Sequence, residues 1–140
     1  MITQFENDIK AQFRVELQGH AHWFLSMRIT RDKFGNYTLD QSRYKKNLVK
    51  KHLAISTRGS IKRPLPENWV ATKVEKSQHV NDVQQLKEEY HINYPSAIGS
   101  LIYLLNTRPH ITFAVTELAR FIRMPGKTHY QVSIHLLGYI

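Results

Sequence analysis

The segment 94–115 limits the possible folds more than any other part of the sequence, because it joins two amphipathic helices through a stiff turn. Apolar side chains recur at intervals of three and four residues on both sides of Pro109, which is the spacing of one helix face. Pro95 and Pro109 suit a first helical turn, and each disfavours the α region for the residue before it. The sequence therefore predicts a packed helix pair with a sharp break. The apolar positions are Ile98, Leu101, Ile102 and Leu105 before the break, and Ile111, Ala114, Val115, Leu118, Ala119 and Ile122 after it.

The net charge of +9 is concentrated in one block, residues 41–63, which contains no acidic side chain. A helix from Ser42 to Ala54 would have one apolar side and one basic side, because residues three and four apart share a face. Lys45 projects into the apolar side, where it either extends to the edge or marks a decayed sequence. The apolar side holds Tyr44, Leu48, Val49, His52 and Leu53, and the basic side holds Arg43, Lys46, Lys50 and Lys51.

Cations that project together from one face can bind phosphate groups, and each neutralised phosphate releases counterions and makes affinity salt-dependent. An ordinary solvated helix face is the alternative interpretation. The lack of any intervening acid in residues 41–63 favours nucleic acid as the partner of this helix.

Residues 1–40 are predicted to form a helix followed by a β-hairpin. Ile2, Phe5, Ile9 and Phe13 recur at helical spacing. Residues 23–30 are predicted to be a strand, 32–36 a turn and 37–40 a second, short strand.

Residues 64–83 lack sustained periodicity and are rich in polar side chains, with Pro64 and Pro66 at the start. We predict a linker or long variable loop, in which Trp69 attaches the loop to the core.

Several classes of function lack support in the sequence. There is no cysteine, so disulfide frameworks and thiolate metal sites are excluded. No apolar run approaches the length of a membrane span, and the start does not resemble a signal peptide. We therefore expect an intracellular protein, cytoplasmic or nuclear, without a membrane partner. Motifs for nucleotide hydrolysis, zinc proteolysis and esterase chemistry do not occur. His20 and His22 lack a third metal ligand at a recognisable spacing.

Short motifs in several regions, in order along the chain, resemble the reverse transcriptase of copia-type LTR retrotransposons. The most specific are Ile98-Gly99-Ser100-Leu101-Ile102-Tyr103-Leu104 and Thr107-Arg108-Pro109. The others are Phe13-Arg14-Val15 with Gly19 and Trp23-Phe24-Leu25, then Tyr37-Thr38-Leu39-Asp40-Gln41 with Tyr44 and Leu48-Val49, and finally Pro125, His129 and Leu136-Leu137-Gly138-Tyr139-Ile140.

The resemblance implies an α+β fragment of a right-hand polymerase. Residues 1–40 correspond to the end of the palm with a primer-grip-like hairpin, 41–63 to a basic helix and its tail, 64–89 to a variable linker, and 90–140 to thumb-like helices. The implied partners are an RNA–DNA primer-template, the upstream palm and fingers, and the downstream ribonuclease H segment of the polyprotein. A plain edge hairpin and simple helix packing are the alternatives at these positions. The candidate nucleic-acid-binding residues are Arg43, Lys46, Lys50, Lys51, Ser96, Ser100 and Arg108, and the primer-grip-like candidates are Met27, Arg28, Tyr37 and Thr38.

Four positions depart from the family pattern. Ser26 replaces a usual glycine, Lys45 a usual aliphatic residue, His110 a usual aspartate and Gly138 a usual arginine. A carboxylate near a helix N-terminus interacts favourably with exposed N–H groups, so His110 should loosen its turn. Glycine costs about 1 kcal/mol relative to alanine in a helix, so Gly138 should weaken the last helix.

The catalytic Tyr-x-Asp-Asp motif of the family has no counterpart here, and no Asp-Asp pair occurs. We therefore predict no catalytic residues, no metal ligands and no cofactor in this chain, with Mg²⁺ expected only for an intact family enzyme. Glu88 and Glu89 are interpreted as a solvated helix start. The ribonuclease H domain of the family is also expected to be missing. The sequence thus predicts a fragment that would hold primer-template but is inactive by itself. The alternatives are a non-catalytic basic module that binds RNA or DNA, and a structural remnant of a decayed element.

Overall fold

The computed structural model describes residues 2–16, 19, 21–52, 61–70 and 80–140. It combines helices with one small antiparallel sheet, which confirms the predicted α+β class. Among the described residues, no helix has both the length and the apolar composition that crossing a membrane requires. The helices are α1 (Ile2–Gln12), α2 (Ser42–His52), α3 (Val80–Tyr90), α4 (Tyr94–Leu104), α5 (Thr112–Ala119) and α6 (Lys127–Tyr139), and the strands are β1 (Trp23–Phe24), β2 (Met27–Arg31) and β3 (Tyr37–Asp40).

The three strands pair in the order β1-β2-β3. The prediction of one continuous strand over residues 23–30 is wrong, because the chain reverses between β1 and β2. Leu25 and Ser26 form that turn with φ values of 47° and 64°. Two successive residues with positive φ match the right-handed twist of a two-residue hairpin, although side chains other than glycine rarely adopt this conformation. A glycine at position 26, which the family resemblance implies, would have been the signal for this turn.

The predicted hairpin between β2 and β3 is confirmed. Its turn is organised by the Asp32 carboxylate, which accepts hydrogen bonds from the backbone N–H groups of Phe34 and Asn36 at 2.8 and 2.9 Å. The Asn36 side-chain amide also donates to the Asp32 carboxylate, at 2.9 Å, and this bond, followed by the backbone bonds, lowers the pKa of Asp32. Gly35 supplies the positive φ, 91°, that completes the reversal.

The hydrophobic core lies in the part of the chain from α2 onward, with α4 at its centre. Tyr94 is fully buried at the start of α4, and its hydroxyl donates a hydrogen bond of 2.8 Å to the carbonyl oxygen of Leu118. Burial raises the pKa of Tyr94 strongly, so this hydroxyl stays protonated. The core residues are Leu48, Ile92, Tyr94, Ala97, Ile98, Leu101, Leu104, Ile111, Ala114, Val115, Leu118, Tyr130, Val132, Leu136, Leu137 and Ile140.

Both prolines lie in a first helical turn, as predicted, but the expected break directly before Pro95 is wrong, because Tyr94 already belongs to α4 and the extended residue is Asn93. Pro95 lies in the first turn of α4, where the Asn93 side chain caps the helix by accepting from the Ser96 N–H at 3.0 Å. Pro109 opens a 3₁₀ turn that leads into α5. Arg108, directly before it, has φ −134° and ψ 63°, outside the α region as expected for a residue that precedes proline.

The prediction of a linker over residues 64–89 is wrong for its last part, which forms α3. Val83, Leu86 and Tyr90 recur at helical spacing, and Leu86 and Tyr90 pack against the core. Glu88 and Glu89 therefore end a helix rather than begin one. An ion pair of 3.1 Å between Glu89 and Lys127 connects α3 with α6. The sequence did not predict α3 because three apolar residues are few in such a polar segment.

Trp69 attaches the preceding segment to the core, as predicted. Its ring packs edge-on against the buried His129 ring, with centroids 6.0 Å apart. The stretch 71–79 of the predicted linker lies outside the described residues.

α1 has the predicted position but contributes nothing to the core, because none of its side chains is fully buried. Ile2, Phe5 and Phe13, the predicted apolar stripe, are more than 60% exposed, and Ile9 is half-buried. This helix thus presents an apolar stripe that the described part of the chain does not cover.

Candidate nucleic-acid interface

The apolar side of α2 packs on α4 and fixes the orientation of the basic helix. Leu48 and His52 are buried, and Tyr44 is half-buried. The Tyr44 hydroxyl donates to the carbonyl oxygen of Ser100 at 3.1 Å, and its ring meets the Tyr103 ring edge-on at 4.9 Å. The predicted apolar side is therefore correct, although Leu53, Ala54 and the basic Arg58 lie outside the described residues.

The opposite side of α2 is basic and open to solvent, as predicted. Arg43, Lys46, Lys50 and Lys51 are all exposed. Lys51 leans toward α4, where its Nζ lies 3.4 Å from the Ser96 Oγ and donates to it. The two-sided pattern follows from helical spacing alone. The four cations therefore lie on one continuous face of α2, and the opposite face of the helix is packed on α4.

The small residues of α4 form the stripe on which α2 lies. Ser96 contacts Lys51, and the Ser100 carbonyl accepts from Tyr44. The Ser100 hydroxyl donates back along the helix to the Ser96 carbonyl at 2.8 Å. At Gly99 an added Cβ would meet no atom within 4 Å, so the surface there is open. Ser96 and Ser100 are thus partly engaged by α2, and Gly99 is the open point of the stripe.

Hydrogen bonds of the buried Gln41 side chain hold the turn after α4 beside the start of α2. The Gln41 side chain donates to the Tyr103 carbonyl at 3.2 Å and accepts from the Thr107 hydroxyl at 2.7 Å. Next to this bridge lies a cavity of about 220 Å³. Its lining consists of Leu39, Asp40, Gln41, Ser42, Thr107, Arg108 and His110. Arg108, chosen from the sequence as a phosphate contact, is therefore brought next to α2.

Lys45 is half-buried near the same turn. Burial lowers the pKa of Lys45, and the positive charges of Arg108 and Lys46 lower it further. The sequence prediction that Lys45 projects toward the apolar side agrees with this placement.

The four primer-grip-like candidates do not share one face of the sheet. Arg28 lies directly opposite Asp40, so it projects from the same face as Thr38, two residues earlier in β3. Met27 and Tyr37 project from the other face, where Met27 is buried and Tyr37 exposed. The pairs are therefore separated by the thickness of the sheet.

An open cleft of about 930 Å³ lies beside the sheet. Its lining includes the exposed rings of Trp23 and Tyr37 together with Arg28 and Arg31. The Arg31 guanidinium lies 5.4 Å from the centre of the Tyr37 ring. Exposed aromatic rings and guanidinium groups are the side chains on which proteins stack unpaired bases. Trp23 and Arg28 lie on one face of the sheet, whereas Tyr37 and Arg31 lie on the other.

The described residues bring no three histidine, aspartate or glutamate side chains together in a group that could hold a metal ion. His22 is described and exposed, whereas His20 lies outside the described part. A two-metal site needs several converging carboxylates, so this part of the chain does not fit the magnesium ions of a polymerase.

The structure gives three polar residues contacts that the sequence did not predict. Gln41 was noted only as part of a family motif, although it bridges α2 to the turn after α4. His129 was noted in the same way, and its buried Nδ1 accepts from the Gly126 N–H at 2.9 Å at the start of α6. Tyr103 packs on Tyr44, and its hydroxyl donates to the carbonyl of Leu25, which connects α4 to the sheet. The motif positions themselves were the available signal.

Comparison with known proteins agrees with the resemblance read from the sequence. The chain is 27% identical over its whole length to the retrovirus-related Pol polyprotein from transposon TNT 1-94 of Nicotiana tabacum, and it covers 10% of that protein. It is 28% identical over 96% of its length to the corresponding polyprotein from transposon RE1 of Arabidopsis thaliana, and 26% identical over 94% to that from transposon RE2. No protein-family model and no solved structure matches the chain.

The resemblance to Pol polyproteins of copia-type retrotransposons is thereby confirmed. The chain is related to one short segment of them, since it spans a tenth or less of the length of each of these relatives.

Proposed function

We propose that this chain is the palm-end and thumb portion of a retrotransposon reverse transcriptase, and that it holds the RNA–DNA primer-template during RNA-directed DNA synthesis. By itself it carries out no polymerisation, because the family's Asp-Asp pair does not occur in it. The relationship to Pol polyproteins supports this proposal.

The observation that carries the proposal is the exposed basic side of α2. Arg43, Lys46, Lys50 and Lys51 face solvent, while the other side of the helix is packed on α4. A rigid row of cations can follow a sugar-phosphate backbone and displace its counterions. Such contacts position a duplex without reading its bases, as a polymerase that must accept every sequence requires.

The test is binding of the folded protein to an RNA–DNA primer-template across a salt series, with circular dichroism to verify folding. About four phosphate contacts predict a slope of roughly −3 to −4 in a plot of log affinity against log salt concentration. Reversing the charge of Lys46, Lys50 and Lys51 together should abolish most of this dependence. The matched control reverses Lys10, Lys33 and Lys87, which are also exposed but lie on α1, the β2–β3 turn and α3. Equal loss of binding in both triple variants would mean that only the net charge of the protein matters. That result would contradict an interface on α2.

A second role, association with another segment of the polyprotein, is favoured by the exposed apolar side chains of residues 2–40. Phe5 and Phe13 are each 63% exposed, and Trp23 and Phe24 are more than half exposed. Monomeric proteins seldom expose large contiguous apolar patches unless these are interaction sites. Association with a purified palm segment of a related polyprotein should be insensitive to the α2 charge reversals. It should be lost in a Phe5→Asn, Phe13→Asn double variant. Association that instead follows the charge of α2 would argue against this role.

A further inference from the structure

Asp40, the last residue of β3, lies at the junction between the hairpin and the basic helix. Its Oδ1 accepts hydrogen bonds from the backbone N–H and the hydroxyl of Ser42, at 2.8 and 2.5 Å, and Ser42 is the first residue of α2. The first N–H groups of a helix have no partner inside the helix, so a side chain that accepts from one of them fixes how the chain enters the helix. The direction of α2 relative to β3 therefore depends on Asp40.

Two cations from different elements lie on either side of this carboxylate. Arg28 of β2 lies directly opposite Asp40 in the sheet, so the two side chains project from the same face. Lys46 lies four residues beyond Ser42 in α2, and residues at this spacing are neighbours on a helix surface. The hydrogen bonds from Ser42 lower the pKa of Asp40 most, and the charges of Arg28 and Lys46 lower it further, which agrees with this arrangement.

Asp40 orders these two cations without neutralising them by direct contact. Both Arg28 and Lys46 are exposed, and neither forms an ion pair with a carboxylate in the part of the chain that the structure describes. The next residue, Gln41, bonds to Tyr103 on the core side of the same junction. The start of α2 is thus fixed to the helical core by Gln41 and to the hairpin by Asp40.

We propose that Asp40 is a positioning residue that holds Arg28 of the hairpin and the basic side of α2 as one continuous surface for a sugar-phosphate backbone. This inference rests on the proposed function and adds an acidic residue to it. Cations from two elements can neutralise neighbouring phosphates together only if the elements keep a fixed relative orientation. The charge of Asp40 by itself repels a nucleic acid. Positioning and simple repulsion therefore predict opposite changes in affinity when Asp40 is removed.

The primary test measures primer-template binding across the salt series for two variants of Asp40. Alanine cannot accept from Ser42, so Asp40→Ala should lower the salt slope by about one and weaken binding roughly threefold to tenfold at moderate salt. Asparagine keeps an oxygen acceptor and serves as well as aspartate at helix starts, so Asp40→Asn should bind at least as tightly as the wild-type protein.

The matched control is Asp8→Ala, which removes an exposed carboxylate from α1 and should not weaken binding. If Asp40→Ala bound as tightly as this control, Asp40 would act only through its charge, and the inference would be overturned.

A double-mutant cycle tests whether Asp40 acts through Arg28. Arg28→Gln should lower the slope by about one in the wild-type protein, but it should have little further effect in Asp40→Ala, where the cation is already misaligned. Equal effects of Arg28→Gln in both proteins would contradict the positioning role. Circular dichroism verifies folding of each variant. If Asp40→Ala does not fold, Ser42→Ala takes its place in the cycle, because it removes the hydroxyl bond to Asp40 and should give the same changes in smaller degree.

A spin-label measurement follows the alignment in the absence of nucleic acid. The chain contains no cysteine, so Lys33→Cys in the β2–β3 turn and Asn47→Cys on α2 provide two defined, exposed labelling positions. The distribution of distances between the labels, from double electron–electron resonance, should be narrow in the wild-type and Asp40→Asn backgrounds and broad in Asp40→Ala. That result would support alignment by Asp40 even if the wild-type protein failed to bind primer-template, in which case the proposed function fails. Distributions of equal width in all three backgrounds would overturn the inference and leave the proposed function to the binding data.

Discussion

At the turn between β1 and β2, the side chain at position 26 determines how much strain the sheet carries. Ser26 has a φ of 64°, in the left-handed region that costs a side-chain-bearing residue about 1 kcal/mol or more. Glycine, which the resemblance to the copia-type family implies at this position, adopts this conformation without penalty. The serine therefore keeps the fold but weakens the sheet.

Replacing Ser26 by glycine should stabilise the β1–β2 pair by about 0.5–1 kcal/mol, because relief of the strained backbone exceeds the added freedom of the unfolded chain. The measurement is hydrogen exchange of the β1 and β2 amides. Thr38→Gly, placed within β3 where no positive φ is needed, is the control and should speed exchange in its strand. Faster exchange in Ser26→Gly would contradict the strain argument.

Buried His52 should make the protein less stable in mild acid. Burial, and then the charge of Lys51, lowers the pKa of His52 from its usual 6.5, so the folded protein keeps the ring neutral. As the pH falls below about 6.5, the unfolded chain takes up a proton that the folded chain refuses, and stability declines by up to about 1.4 kcal/mol per pH unit until the folded pKa is reached. Above this range the stabilisation is fully present.

Urea unfolding at about pH 7.5 and about pH 5.5 measures this loss. The His52→Leu variant should lose less stability between the two conditions than the wild-type protein, because its buried position no longer titrates. An identical loss in both proteins would show that other groups cause the acid sensitivity.

At the level of elements, one buried side chain connects α2 to the turn after α4. Gln41 is 3% exposed and bonds to Tyr103 and Thr107. Replacing it by leucine removes two hydrogen bonds and leaves a partly buried carbonyl and a partly buried hydroxyl without this partner, which should cost about 1–3 kcal/mol. Chemical denaturation is the measurement, with Gln85→Leu on the exposed side of α3 as a control that should change stability by less than about 0.5 kcal/mol. A cost no larger than that of the control would mean that the bridge contributes little.

The elements also differ in how well the sequence predicts them. α2, α4 and α5 follow from their apolar spacing and from Pro95 and Pro109, because these constraints act within a few residues. α3 was not predicted because its apolar stripe is short. The stripe stabilises the helix only through the packing of Leu86 and Tyr90 against the distant core. The basic side of α2 was predicted as a surface, whereas the hydrogen bonds of Gln41 to Tyr103 and Thr107 depend on a contact between distant segments.

For the whole molecule, the helices contain the buried core and the sheet contains almost none of it, so we expect the sheet to open at a lower free energy than the helices. The core residues all come from Leu48 onward, and Met27 is the one buried apolar side chain that the described part of residues 2–40 contributes. Tyr103 connects the helices to the sheet through its hydrogen bond to Leu25. The sheet can therefore separate from the helices without exposing the core.

We accordingly expect the backbone amides of β2 and β3 to exchange with solvent through local opening, at rates well above those of α4 and α6. Elements that bury few apolar contacts open at lower free energy than the elements that form the core. Native-state hydrogen exchange at increasing urea concentrations distinguishes the two levels, since local opening depends weakly on denaturant and global unfolding strongly. The Tyr103→Phe variant, which lacks the hydroxyl bonded to Leu25, should widen the gap by speeding exchange in the sheet alone. Equal protection of β2, β3 and α4 would instead mean that sheet and helices unfold as one unit.

Binding of primer-template should then be tested for protection of the sheet amides from exchange. A nucleic acid that contacts both the hairpin and α2 would couple the opening of the sheet to the unfolding of the helices.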